Sequence, residues 1–150
     1  MKKNLIKTFG ILSIVALVAC SSCGKKTAAP EILNLSATNH DDNTTIIARG
    51  GTISVNFEAV TKSKDKLDYY HIEIHDHPAS GLLEDEYKII DDSFKNKATF
   101  KGLKNANVHE HIIVPMDANL GKYHVVVTVV DEYGNSADTE DITVEITIIE

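Results

Sequence analysis

Polar and apolar residues alternate with a period of two along much of this chain. In GGTISVNFEAV, Ile53, Val55, Phe57 and Ala59 point one way and Thr52, Ser54, Asn56 and Glu58 the other. That is the pattern of a half-buried strand introduced by a Gly-Gly turn. LDYYHIEIHDH repeats it, with Tyr70, Ile72 and Ile74 on the apolar face and Tyr69, His71, Glu73 and His75 opposite. In GKYHVVVTVVDEYGN the core set is Tyr123, Val125, Val127 and Val129, and Asp131 to Asn135 closes a turn. DITVEITII returns with Ile142, Val144, Ile146 and Ile148. Shorter strands are predicted at 87–90, 98–103 and 108–114, and another near 32–36. No window keeps an apolar stripe at i, i+3, i+4 and i+7, so no helices are expected. Short strands recurring every 8 to 12 residues or so predict an all-β antiparallel sandwich over residues 31–150.

The segment IIVPMDANLGKYHVVVTVVDEYGN, residues 112–135, resembles the penultimate strand of immunoglobulin-like and fibronectin-like domains. There a GxYxVxV run carries a core tyrosine, and a DxxGN hairpin leads into the last strand. The resemblance implies an immunoglobulin-like order, in which the third strand pairs antiparallel with the sixth. It does not imply a function, because the sandwich hosts many unrelated ones.

The N-terminus changes the setting of this domain. Lys2, Lys3 and Lys7 precede an apolar run from Phe9 to Ala19, the layout of a secretory signal and too short for a stable membrane span. Leu17-Val18-Ala19-Cys20 resembles the lipobox of bacterial lipoproteins, in which Cys20 carries a diacylglycerol and acyl anchor. Residues 1–19 are therefore expected to be a lipoprotein signal peptide, and 20–30, ending in GKKTAAP, a lipidated cysteine and tether. Ser21, with no Asp after the cysteine, resembles outer-membrane sorting signals, which implies the cell envelope with either membrane face left open. Cys23 then has no partner, so neither a disulfide nor a redox pair is expected. The chain has 15 basic and 22 acidic residues, a net charge of −7; removal of three lysines leaves 12 against 22, or −10. Such a domain repels nucleic acid and suits cationic partners.

Histidine is the unusual component. Five of the seven histidines fall in two short clusters, His71, His75 and His77, then His109 and His111, joined by His124, with His40 standing apart. On a strand, residues i and i+2 share a face ~6.8 Å apart. Both imidazoles of an HxH pair can then lean toward one ion at ~2.0–2.1 Å. Third-to-sixth strand pairing sets His75 and His77 near His124, while a strict sandwich places His109 and His111 on the other sheet. The alternatives of one site or two stay open. Without a cysteine ligand such a site suits Zn²⁺ or Cu²⁺, and Glu73, Asp76 and Glu110, with His71, are candidates to complete or orient it. The competing account is a solvated polar face whose histidines only alternate with core residues.

The lipobox, the IHxH segment, the HEHIIVPMDANLGKYH stretch and the VxDxxGN hairpin together resemble the family of small bacterial lipoproteins called domain of unknown function 4625. On matching positions the resemblance favours His75, His77, His109, His111 and His124 as metal ligands. The acidic hairpin with Asp131, Glu132, Asp138, Glu140 and Asp141 matches no calcium-loop template and is expected to be a charged turn. No GxSxG, HExxH or phosphate-binding loop is present, and no catalytic residue is expected. The sequence thus predicts a non-enzymatic envelope lipoprotein that binds Zn²⁺ or Cu²⁺ for buffering or for delivery to an outer-membrane receptor or transporter. The alternative is a metal-free module docking on an envelope protein or glycan, starting from Tyr69 and Tyr87.

Overall fold

The computed structural model describes residues 28–62, 64–139 and 144–150. The leader, Cys20, Cys23 and most of the tether lie outside the described residues, as do Glu140, Asp141 and Ile142. Among the described residues nine strands follow one another: β1 (Glu31–Asn39), β2 (Ile46–Ala48), β3 (Thr52–Val60), β4 (Leu67–Asp76), β5 (Lys88–Phe94), β6 (Asn105–Ile113), β7 (Gly121–Asp131), β8 (Ser136–Asp138) and β9 (Val144–Ile149). Among the described residues one 3-10 turn, Leu83–Asp85, is the only helical element, and no helix is long and apolar enough to cross a membrane.

The strands form two packed sheets. One has the order β1-β3-β6; the other has β2-β9-β7-β4-β5, with β8 also on β7. The expected third-to-sixth pairing is present as β4 against β7. The alternation read in the sequence carries the core. Ile53, Val55, Phe57 and Ala59 from β3 and Tyr70, Ile72 and Ile74 from β4 are buried together with Tyr123, Val125, Val127 and Val129 from β7 and Ile146 and Ile148 from β9. Tyr70 is a hub, stacked on Phe94 at 4.9 Å and edge-on to Phe100 and Phe57. Its hydroxyl donates to Glu110 across the sandwich, the partner a buried phenol requires.

Two details depart from the sequence reading. The 98–103 segment is a turn rather than a strand: Phe100 is buried, its amide and that of Lys101 donate to the Lys97 carbonyl, and Gly102 takes φ +80°. Here one aromatic anchor, not an alternating face, made the segment look strand-like. The β2 strand, too short to show a period, pairs parallel with β9 through Ile46↔Thr147 to Ala48↔Ile149, so the sandwich is not purely antiparallel. The Gly-Gly turn follows β2. Gly50 has φ +78°, and a Cβ on Gly51 would stand 2.8 Å from the Ala48 carbonyl.

Side-chain carboxylates close the ends. Asp131, 2% exposed, accepts from the amides of Tyr133 and Asn135 at 2.9 Å each and from the Asn135 side chain at 2.8 Å. This carboxylate therefore builds the turn that the sequence predicts. At the other pole the Tyr123 hydroxyl donates to the Asn119 carbonyl four residues back, at 2.9 Å. This is the tyrosine corner of immunoglobulin-like sandwiches. Burial, with Asp76 and Tyr87 nearby, pushes this phenol up to about 12. Asp76 accepts from the Tyr87 amide and from the Asn119 side chain, both at 2.8 Å. Tyr123→Phe should lower unfolding free energy by about 1–2 kcal/mol, and Asp76→Ala, which strands two donors, by about 2–3 kcal/mol. Urea denaturation of both variants measures the order.

Candidate metal centre

The register of β4 on β7 sets His75 opposite His124. Each follows a core residue, Ile74 and Tyr123, so both imidazoles stand on the outer face of the larger sheet. His77 lies one residue beyond β4 and folds its ring onto His124, with centroids 4.0 Å apart and His77 Nε2 2.9 Å from His124 Nδ1. The His75 ring lies 5.5 Å from that of His77 and 5.9 Å from that of His124. One ligand nitrogen from each of the three lies within 4.8 Å of the others. Around a tetrahedral ion with ~2.0–2.1 Å bonds, nitrogens sit ~3.3 Å apart, so small ring rotations complete the set. Two neutral imidazoles in contact share one proton between two lone pairs, and a cation would take its place.

The surroundings keep the His124 ring available. Burial, then the neighbouring His77 and His75, lower the pKa of His124 against the opposing pull of Glu145, with Lys122 adding to the lowering. Glu145 is itself held below its usual range first by its bond to Lys122, at 2.7 Å. Glu73 Oε1 is 3.1 Å from His75 Nδ1, but off the direction a hydrogen bond needs. That buried nitrogen has no hydrogen-bond partner among the described residues. A small turn of the ring would let Glu73 accept its proton and present Nε2 outward, the arrangement that orients most metal-bound histidines.

Ligand-type side chains continue across β4, β5 and the loop between them. His71, Glu73 and Asp91 form one further compact group, and Glu73, His75 and Glu86 another. The first already holds a cation, since Lys88 Nζ lies 2.9 Å from Glu73 Oε1 and 2.7 Å from Asp91 Oδ2. His71 has both nitrogens engaged, with Asp91 at 3.0 Å and Ser93 at 3.1 Å. It is a strut of the sheet face.

Two carboxylates that the sequence offered as ligands face the other way. Asp76 is 7% exposed and spends its oxygens on Tyr87 and Asn119. Glu110 reaches inward to Tyr70 and to Lys97 Nζ, the latter at 2.8 Å. Burial pushes Glu110 up, but the bonds from Lys97 and Tyr70 outweigh it and hold the carboxyl low. The signal was in the sequence: Asp76 shares parity with Ile72 and Ile74, and Glu110 with Val108 and Ile112. His109 and His111 lie on β6 of the smaller sheet, away from His75, His77 and His124. Their neighbour is His40, whose ring meets that of His111 at 4.5 Å.

No curated protein matches the chain in sequence. Among solved structures the sandwich is similar to a DUF4466 family protein from Parabacteroides merdae, with TM-score 0.49 and 11% identity over 79% of this chain and 44% of that one. It is also similar to the sporulation control protein Spo0M from Bacillus subtilis, with TM-score 0.48 and 9% identity over 82% and 50%. The third is a Niemann-Pick type C2 protein from the Japanese carpenter ant, with TM-score 0.47 and 12% identity over 84% and 94%. The chain spans half or less of the first two. Residues 18–149 match the model of the domain of unknown function DUF4625, and the protein belongs to that family.

Proposed function

We propose that this protein is a lipid-anchored envelope protein, held at the outer membrane through Cys20, that binds one Zn²⁺ or Cu²⁺ ion through His75, His77 and His124. The carrying observation is the convergence of three imidazoles from two hydrogen-bonded strands, with ligand nitrogens within 4.8 Å of one another. Imidazole suits both metals. Three protein ligands leave one position of a tetrahedron open, the position a ligand from a receiving protein would take in a reading of buffering or delivery. The acidic domain raises the local concentration of cations around the site.

A docking role draws support from a different place than sequence suggested. Tyr87 donates to Asp117 at 2.9 Å and Tyr69 lies under Lys95, so neither tyrosine starts an open aromatic patch. The loop between β4 and β5 instead exposes Leu83 at 81%, and the loop before β7 exposes Met116 at 73%. Both loops adjoin the strand ends that bear His77 and His124, where a receiving protein would touch the site.

Zn²⁺ titration of residues 24–150, with metal content by mass spectrometry, tests the metal reading. Submicromolar binding is expected, weakened at least a hundredfold by His75→Ala, His77→Ala and His124→Ala together; equal affinity in that variant would sink it. A second expectation concerns the metal-free protein. His124, facing His75, His77, Glu145 and Lys122, is harder to protonate folded than unfolded. Its contribution to stability is therefore complete above ~6.5 and lost as pH falls toward the folded value. Urea midpoints measured from pH 7.5 to 5 should drop, and His124→Gln should flatten that drop.

A further inference from the structure

We propose a second divalent transition-metal site on the opposite face of the sandwich, formed by His40, His109 and His111. It goes beyond the proposed function and does not depend on it, because no residue is shared and the two sheets separate the clusters. His109 and His111 extend from the outer face of β6, and His40 from the turn after β1. Between those strands runs β3, which pairs with both. The side chain of β3 in this row is Ser54, opposite His111. Ser54 faces outward by alternation and is still only 6% exposed. A small residue there lets the flanking rings close over the middle strand. His40 and His111 meet edge-on at 4.5 Å and 88°, and His111 and His109 at 4.5 Å and 78°.

The protons are arranged for coordination. His109 Nδ1 bonds Asn56 Oδ1, and His40 Nδ1 bonds Asp41 Oδ1 at 3.2 Å. Each of those oxygens can only accept, so in the neutral ring the proton sits on Nδ1 and Nε2 keeps its lone pair. An amide or carboxylate that fixes the tautomer through the second nitrogen is what surrounds metal-bound histidines. The three ligand nitrogens are more loosely gathered than those of His75, His77 and His124, and all three side chains are exposed. The ion would therefore draw the rings inward on binding, and the site should be the weaker of the two.

The full chain, without a polyhistidine tag and held in detergent on account of its apolar leader, would be titrated with Zn²⁺ alone by calorimetry, with bound metal counted by mass spectrometry. Two ions per chain are expected for the wild type and one for His75→Ala/His77→Ala/His124→Ala. None is expected once His40→Ala, His109→Ala and His111→Ala are added. In the first triple variant, His40→Gln and Asn56→Leu should each weaken the remaining ion about 10- to 100-fold, with urea midpoints confirming the fold. A first triple variant that binds no ion, or one whose affinity ignores both His40→Gln and Asn56→Leu, overturns the second site and leaves the first standing. A wild type with one ion, lost on changing His40, His109 and His111 but not on changing the other three, does the reverse.

Discussion

The antiparallel pairing of β4 with β7 is the constraint on which the rest depends. Side chains on paired strands alternate with a period of two, so one register choice fixes both faces at once. With Ile72 opposite Val127 and Ile74 opposite Val125, the inner face is a continuous apolar layer. The same choice sets His75 opposite His124 on the outer face. A slip by one residue would bury the histidines and expose the isoleucines. Fully burying one such side chain contributes about 1.5–3 kcal/mol, far more than any surface contact between imidazoles. Hydrophobic packing, not affinity among the ligands, places two of the three histidines.

The third histidine needs a different device, because it lies past the end of the ladder. His77 follows Asp76, whose carboxylate ties the end of β4 to the loop before β5 and to the loop before β7. The tyrosine corner fixes that second loop from the other side, through Tyr123 and Asn119. Arg49 adds a third tie, its Nε donating to the Ala118 carbonyl at 2.7 Å. These bonds lie inside the fold and touch no ligand. Their effect is to leave the backbone before His77 little freedom, so that a residue outside regular structure still presents its ring to His124. Asp76 looked like a ligand because it stands between two histidines. Its place on the inner face makes it a positioning group instead.

How much could be read from the sequence follows from where the information lies. The strands bearing Ile53 to Ala59, Tyr70 to Ile74 and Tyr123 to Val129 were legible because local alternation is imposed by burial on one face. The meeting of His75 with His124 was legible at one remove, once an immunoglobulin-like strand order was assumed. Glu110 and Asp76 could have been assigned to the interior by parity alone, had proximity to histidine in the chain not outweighed it. His40 could not have been found that way. It meets His111 only because β1 and β6 flank β3 and because Ser54 is small, and both facts belong to tertiary structure. Similarly, a single buried Phe100 in a turn imitates a strand in any window that sees only spacing.

Electrostatics then decide whether such histidines are useful to a cation. An acidic domain attracts divalent ions, but it attracts protons too, and a protonated imidazole is no ligand. A lone surface histidine in this field would gain a proton more readily. At His124 burial opposes this, as do the neighbouring His77 and His75, and the net result is a lowered pKa. Glu145 pulls toward the imidazolium of His124, and Lys122, paired with that carboxylate, pulls the other way. Lys88 on β5 likewise pairs with Glu73 of β4 and Asp91 of β5. The lysines on this face pair with the local carboxylates, while the chain as a whole keeps a net charge of −7. In the metal reading proposed above, the long-range field would draw a divalent cation toward this face, and the lowered pKa of His124 would leave that imidazole neutral to receive it.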